Sequence, residues 1–198
     1  MMDKEEIAKD LKSCLLLFLT VCILSIFYTL FITWGTQTFL PYQANGSLLY
    51  VNGTVVGSEL LGQNFSSPGY FHGRPSAVDY NGSNSGGSNL GPTSANLMEQ
   101  VRQRIEKVRK ENGLSDNATV PADLVLASGS GLDPHISVAG ALLQVPRVAG
   151  ARVLPVQSVR TLVERHIERP TFGIFGQEKV NVLELNIALD EMEKESKQ

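Results

Sequence analysis

The chain has 198 residues, with 17 Lys and Arg against 20 Asp and Glu, a formal net charge of -3 and a pI near 5.6. That balance excludes the basic footprint of a nucleic-acid-binding protein. Both cysteines, Cys14 and Cys22, fall in one apolar run near the start, so the remaining ~160 residues have no internal disulfide available and must be held by burial, for which one domain of that size suffices.

That run, Ser13 to Trp34, contains no charged residue and no proline. A bilayer core needs about 20 apolar residues in a helix, so the run is long enough to span once. Its Ser and Thr hydroxyls can bond back to helix carbonyls, and Trp34 and Tyr42 suit a membrane–water boundary. Lys4, Lys9 and Lys12 precede the span, and the next basic residue is Arg74. This asymmetry predicts a cytoplasmic N-terminus and places Gly35 to Gln198 outside the cell membrane. A cleaved signal peptide fits less well, because its apolar region is about 7–15 residues long and ends in an A-x-A-like site. The expected organisation is a cytoplasmic tail (1–12), a transmembrane helix (13–34), a polar connector (35–46) and an extracytoplasmic domain (47–198).

The domain opens with Leu48 to Val51, Asn52-Gly53 and Thr54 to Val56, which read as strand, type I′ turn and strand. Gly57 to Pro92 is a long loop, aromatic at Tyr70, Phe71 and Tyr80 and rich in Asn, Gly and Ser from Asn81 to Asn89. A loop of this length is functional or disordered, and its aromatics favour an ordered loop packed on a surface. Thr93 to Asn112 is a helix with an apolar stripe of Leu97, Val101, Ile105 and Val108, capped by Thr93 or Ser94 and closed by Asn112-Gly113. Its other face, carrying Glu99, Arg102, Arg104, Glu106, Lys107 and Arg109, reads as solvated. Leu124 to Ala127 is expected as a short buried strand. Ser137 to Gln144 has helical composition that breaks at Val145-Pro146, and Val156 to Ile167 forms another helix, closed by Pro170. Phe172 to Phe175 reads as a short strand. Val182, Leu185, Leu189 and Met192 mark a last helix that ends in the charged segment Glu191 to Gln198. The fold class is α+β: one membrane helix, then a single domain with a small sheet and several helices.

No constellation supports catalysis. His72, His135 and His166 are scattered without ligand spacing, so no metal site is expected. Ser128, Ser130, Asp133 and His135 lie together in sequence but lack a G-x-S-x-G elbow. The runs Ser85-Gly86-Gly87-Ser88 and Ser128-Gly129-Ser130-Gly131 offer backbone N–H groups to an anion, yet neither carries the lysine of a P-loop, and tight turns explain them. Arg74, Arg147 and Arg152 point to pairing with buried carboxylates or with a partner subunit. Asn45, Asn52, Asn64, Asn81 and Asn117 open triplets of the N-glycosylation pattern, which an Asn/Gly/Ser-rich sequence also makes by chance.

Six stretches carry a resemblance: Gly57 to Phe65, Tyr70 to Ala77, Ser85 to Pro92, Ser128 to Ser137, Gln144 to Ala149 with Arg152, and Val180 to Asn186. In order, over most of residues 57–190, they resemble the C subunit of the Kdp potassium-transporting ATPase, the KdpC family. Val138 departs from the pattern, which has proline after Ile-Ser.

The resemblance implies a non-catalytic subunit of a high-affinity, ATP-driven potassium uptake complex, with no activity alone. It implies as partners a channel-like potassium-binding subunit, a P-type ATPase subunit and a small single-span subunit. It also implies a catalytic-chaperone role that raises the ATP affinity of the ATPase subunit, with ATP and potassium acting at the level of the complex. Ser85, Gly86, Gly87 and Ser88 resemble a nucleotide-binding signature proposed for the family. The lysine asymmetry sets that loop outside, away from cytoplasmic ATP, so an effect on ATP affinity would pass through coupled states of the complex. The alternative is a membrane-anchored extracytoplasmic enzyme or ligand-binding domain unrelated to ion transport. Tyr70, Phe71 and Arg74 are the expected partner-binding residues, because interfaces favour aromatics and arginine.

Overall fold

A computed structural model describes residues 4–196. The first three residues of the expected cytoplasmic tail and the last two of the C-terminal segment lie outside the described residues. The chain divides into two compact units, Met1–Ser47 and Leu48–Gln198.

The first unit is α1 (Lys4–Phe39) followed by the short α2 (Pro41–Ala44). Among the described residues α1 is the one helix long and apolar enough to cross a membrane. Its hydroxyls bond back as the sequence suggests: Ser13 donates to the Lys9 carbonyl at 3.0 Å, Thr20 to Leu16 at 2.8 Å and Thr29 to Ser25 at 2.8 Å. Each satisfies a polar group inside an apolar helix without a partner from elsewhere. The helix extends beyond the apolar run at both ends, and α2 takes up part of the polar connector.

The second unit begins with the expected hairpin, β1 (Leu48–Val51) and β2 (Thr54–Ser58). Asn52 and Gly53 have φ of 51° and 76°, the left-handed pair that a type I′ turn requires. A register shift between Leu49 and Tyr50 bulges the ladder. After the long loop come α3 (Ala95–Glu111), β3 (His135–Ser137), α4 (Val138–Arg152), α5 (Val156–Arg165), β4 (Ile167–Glu168), β5 (Lys179–Asn181) and α6 (Val182–Ser196). The second sheet has the order β3-β5-β4, antiparallel throughout. Helix α4 packs on α5, and α5 on α6. Their apolar faces meet the sheet in one core that includes Phe71, Ile136, Val145, Val148, Val159, Val163, Val180, Leu185 and Leu189.

Several expectations are corrected. The strand expected at Leu124 to Ala127 is instead a 3₁₀ turn (Ala122–Leu124), although Leu124 and Val125 are buried as foreseen. The helix expected to break at Val145-Pro146 runs through as α4. Pro146 has no N–H for the Leu142 carbonyl, but Ala141, Gln144 and Val145 before it and Val148 and Ala149 after it are all buried, so packing outweighs the lost bond. Phe172 to Phe175 is a tight turn closed by a single bridge between Thr171 and Phe175, not a strand. Helix α5 ends at Arg165, and Ile167 passes into β4. On α3, Ser94 is the cap, accepting from the Leu97 N–H at 3.4 Å. Arg104 and Arg109 leave the face expected to be solvated: they donate to the carbonyls of Val125 (3.0 Å) and Ala118 (2.7 Å).

Pro146 is exposed, so its replacement removes little packing. Pro146→Ala restores the missing donor and should stabilise the domain by on the order of 1 kcal/mol or more, read as a higher melting temperature of the full chain in detergent. An unchanged or lower temperature would show that α4 needs its proline.

Candidate functional site

The long loop from Glu59 to Pro92 has no regular secondary structure, so its backbone polar groups need partners from elsewhere. Three side-chain amides provide them, one at the end of β5 and two on helices α4 and α6. Asn181 donates to the Glu59 carbonyl at 2.8 Å, while its Oδ1 accepts from the Leu183 N–H at 3.0 Å and so caps α6. One turn on, Asn186 clamps Phe71: its Oδ1 accepts from the Phe71 N–H at 2.9 Å and its Nδ2 donates to the Phe71 carbonyl at 3.0 Å. Gln144 on α4 repeats the arrangement at the next residue, accepting from the His72 N–H at 2.8 Å and donating to the His72 carbonyl at 3.1 Å. Asn186 and Gln144 are each 2 % exposed, and the Phe71 ring between them is fully buried.

Two arginines complete the grip. Arg147 donates to the carbonyls of Pro68 (2.5 Å) and Tyr70 (3.0 Å), to Gln144 Oε1 (2.7 Å) and to Asn112 Oδ1 (3.0 Å). Arg152 donates to the Gly69 carbonyl at 2.6 Å and pairs with Asp190 at 2.7 Å and Glu193 at 2.5 Å. Its guanidinium lies 4.5 Å from the centre of the Tyr70 ring, whose hydroxyl donates to Asp190 at 3.2 Å. A buried planar cation with five donors suits this cluster of carbonyls and carboxylates.

The loop's second half is held by the segment 128–133. Gly62 donates to the Leu132 carbonyl, Ser128 to Pro75, and Ser76 Oγ to Gly131. The Gly86 N–H donates to the Ser130 carbonyl at 2.8 Å, and Ser85 Oγ to the same oxygen at 3.1 Å. The two glycine-rich runs thus close on each other, and a Cβ at Gly87 would sit 3.0 Å from the Gly129 carbonyl oxygen. Gly131 has a φ of +68°, and a Cβ there would meet the Gly86 oxygen at 2.8 Å. The Gly86 N–H, one of those that the nucleotide signature would aim at an anion, is committed to Ser130. Ser85 and Ser88 lie exposed at the rim.

Of the three expected partner residues, Phe71 lies in the core, Tyr70 is half-buried under Arg152, and Arg74 donates to Asp133 at 3.0 Å. The structure brings them together as the base of the loop. The sequence reading missed the amides that hold that base, Gln144, Asn181 and Asn186; it marked Arg147 and Arg152 for carboxylate pairing, which Arg152 makes with Asp190 and Glu193, whereas Arg147 holds carbonyls and amides. The one available signal was a polar residue inside an apolar helical stripe, as Asn186 is between Leu185 and Leu189.

A cleft of about 310 Å³ opens beside the clamp, between the loop and α3. Arg74, Arg104 and Lys107 line it, together with Asp79, Glu111 and His72. The Arg74 Nε is buried without a hydrogen-bond partner among the described residues. Burial first, and then Arg147, lower the pKa of His72 below 6.5. Asp133 is partly buried, which opposes its charge, but hydrogen bonds from the His135 side chain and backbone and from Arg74 outweigh this and hold its pKa at about 2. His135 in turn meets Glu168 at 3.2 Å and Lys179 at 3.0 Å, so Asp133 is paired with Arg74 and the His135 ring is taken up in polar contacts. Ser130 Oγ accepts from the Leu132 N–H. Among the described residues no group of three or more His, Cys, Asp or Glu is arranged to hold a metal.

A family model described as "K+-transporting ATPase, c chain" matches residues 11–191. The chain is 54% identical over 166 residues to the "Potassium-transporting ATPase KdpC subunit" of Nitratidesulfovibrio vulgaris (strain DSM 19637 / Miyazaki F), covering 82% of this chain and 84% of the relative. It is 47% identical to the protein of that name from Gemmatimonas aurantiaca, over 93% and 94% of the two chains. To that of Caldanaerobacter subterraneus subsp. tengcongensis it is 43% identical, over 98% and 99%.

Two predictions follow from this geometry. Asn186→Ala leaves both polar groups of Phe71 buried and unpaired, at roughly 1–3 kcal/mol each, so the melting temperature of the full chain should fall by many degrees. Gln144→Ala should fall similarly, and the double variant by less than the sum, because the two clamps share one strand of loop. Strict additivity would show that the clamps act independently. The second prediction concerns pH. A folded pKa below the unfolded one adds stability that is complete above the ordinary carboxylate range and lost as pH falls through the folded value. The Asp133 contribution should therefore fade from about pH 4 towards pH 2, while His72, whose protonation the fold resists, adds a decline that begins near pH 6.5. Asp133→Asn should start less stable at neutral pH and lose the lower of the two declines. An unchanged acid limb in that variant would remove Asp133 from the account.

Proposed function

The chain belongs to the family of K+-transporting ATPase c chains, the KdpC family, and on that premise we propose that it serves as the anchored, non-catalytic subunit of an ATP-driven potassium uptake complex. The observation that carries this reading is the extent of the match: residues 11–191 take in nearly all of the apolar helix and the whole clamp. A single membrane-crossing helix and one folded unit suit a component that assembles with other membrane subunits. In this reading the N-terminus is cytoplasmic and residues 35–198 lie outside, as the lysine asymmetry around the span supports. Its partners are a potassium-binding subunit, a P-type ATPase subunit that hydrolyses ATP, and a small single-span subunit. The loop meets the potassium-binding subunit through its exposed arc from Asn81 to Asn89, with Tyr70, Phe71 and Arg74 fixing the base of that arc.

The ATP affinity of the complex is raised through coupling. A subunit that binds one state of the ATPase more tightly than another shifts its equilibrium, and affinities differing 5–150-fold correspond to coupling of about 1–3 kcal/mol. The commitment of the Gly86 N–H to Ser130 supports this indirect route over direct contact of Ser85 to Ser88 with nucleotide.

Purification of the tagged full chain from its native membrane should recover a potassium-stimulated ATPase. Recovery of the chain without such an activity would overturn the assignment. Protease added outside intact cells should digest the large domain and leave the N-terminal tail, and the reverse pattern would invert the topology.

A further inference from the structure

Four asparagines are followed by glycine: Asn45, Asn52, Asn81 and Asn112. In such a pair the backbone nitrogen of the glycine can attack the side-chain carbonyl carbon of the asparagine, since glycine carries no Cβ to hinder the approach. The attack needs a glycine N–H that is not committed elsewhere and an amide that is free to leave. It also needs the asparagine main chain to turn about its Cα–C bond so that the ring can close.

The fold withholds at least one of these from Asn45, Asn52 and Asn112. The Gly113 N–H donates to the Lys110 carbonyl, and the Asn112 side chain is held at both ends. Its Nδ2 donates to the Val108 carbonyl at 2.8 Å and its Oδ1 accepts from Arg147 at 3.0 Å. The Gly46 N–H donates to the Gln43 carbonyl at 3.1 Å, and Asn45 Nδ2 to the Pro41 carbonyl at 2.7 Å. Asn52 stands in the hairpin turn, where the pairing of Val51 with Thr54 fixes the chain on either side of Asn52-Gly53.

Asn81 is placed differently. It and Gly82 are exposed, and a Cβ built on Gly82 would meet nothing within 4 Å. Among the described residues neither the Gly82 N–H nor Asn81 Nδ2 has a hydrogen-bond partner. Asn81 Oδ1 accepts from the Ser83 N–H at 3.0 Å. That donor meets the oxygen on which negative charge develops as the ring closes, the part played by an oxyanion-hole donor. One backbone bond, from the Asn84 N–H to the Asn81 carbonyl at 2.9 Å, closes the turn. With no ladder on either side, the Asn81 main chain turns at lower cost than that of Asn52. The triplet Asn81-Gly82-Ser83, which reads in sequence as a glycosylation pattern, thus holds the parts of another modification.

We propose that Asn81 is a site of spontaneous deamidation. The Gly82 nitrogen bonds to Asn81 Cγ as its proton passes to water. The Cγ–Nδ2 bond then breaks, and the nitrogen takes up a proton and leaves as ammonia, which gives a succinimide. Water adds to one of the two ring carbonyls. Opening at Cγ leaves an aspartyl residue at position 81; opening at the main-chain carbonyl leaves an isoaspartyl one, with an extra methylene in the backbone. The sum is one water consumed and one ammonia released, with no change of oxidation state. Either product adds a carboxylate to the exposed arc, and the isoaspartyl form lengthens the turn that Asn84 closes.

The test incubates the full chain in detergent at mildly alkaline pH and follows every asparagine by fragment mass spectrometry. Conversion at Asn81 should run at least ~10-fold faster than at Asn45, Asn52 or Asn112, the ratio that about one hydrogen bond in the barrier gives. In denaturant the rates should converge, because the fold no longer distinguishes the pairs. Gly82→Ala, which the open space admits, should suppress conversion at Asn81 and leave the melting temperature unchanged. Equal rates in the folded chain, a lead for another of the four, a lead for Asn81 that persists undiminished in denaturant, or undiminished conversion in Gly82→Ala would each overturn the proposal. None of these outcomes bears on the subunit reading.

Discussion

The fold depends on a solved problem of backbone accounting. More than thirty residues between β2 and α3 make no helix or strand, yet they run across a packed helical layer and send Phe71 into the core. Each buried N–H or C=O left unpaired there would cost roughly 1–3 kcal/mol. Carboxamides solve this economically, because one Asn or Gln presents a donor and an acceptor in the spacing of a peptide unit. Asn186 and Gln144 use that match on adjacent residues, so the chain is gripped where the buried ring must be held.

From that grip the other contacts gain their geometry. With Phe71 and His72 fixed, the carbonyls of Pro68, Gly69 and Tyr70 are aligned for Arg147 and Arg152, which also tie in Gln144, Asn112, Asp190 and Glu193. Downstream, Arg74 reaches Asp133, and the loop closes on segment 128–131. Charge in this network is occupied in holding carbonyls and in pairing. Asp133 shows this: against its partial burial, hydrogen bonds from His135 and Arg74 hold its pKa at about 2, which makes it a weak base. Such a site is suited to keeping a surface rigid, which is what an assembly subunit requires.

What was legible in the sequence follows from the range of the interaction responsible. The Asn52-Gly53 turn, the Ser94 cap and the apolar stripes of α3, α5 and α6 arise from neighbours a few residues apart, and they read correctly. The break expected at Pro146 did not occur, because local propensity lost to burial on both sides of it. Strands β3, β4 and β5 were missed, since two or three residues are too few to display a period of two. The clamps were invisible for a different reason: Asn186 lies 115 residues from Phe71, and Gln144 lies 72 from His72. Both amides stand in stretches that carried the family resemblance, so the sequence marked them without revealing what they hold. The partner residues expected in the loop were chosen for being aromatic and basic, the composition that also suits a buried anchor, and Phe71 proved to be one.

That exchange of roles leaves the exposed aromatic surface elsewhere in the domain. Aromatic side chains in the long loop are spent inward, on the core and on Arg152. Outside α1, the contiguous aromatic exposure lies instead in the turn between β4 and β5, in a segment that the sequence pattern suggested was an ordinary strand. A strand there would have extended the β3-β5-β4 sheet and alternated its side chains between two faces. The turn instead bends the chain with Phe172 and Gly173 at positive φ and leaves all three large side chains exposed. The loop rich in aromatics thus builds the scaffold, and the exposed large apolar side chains gather instead in the short turn that joins the paired strands β4 and β5.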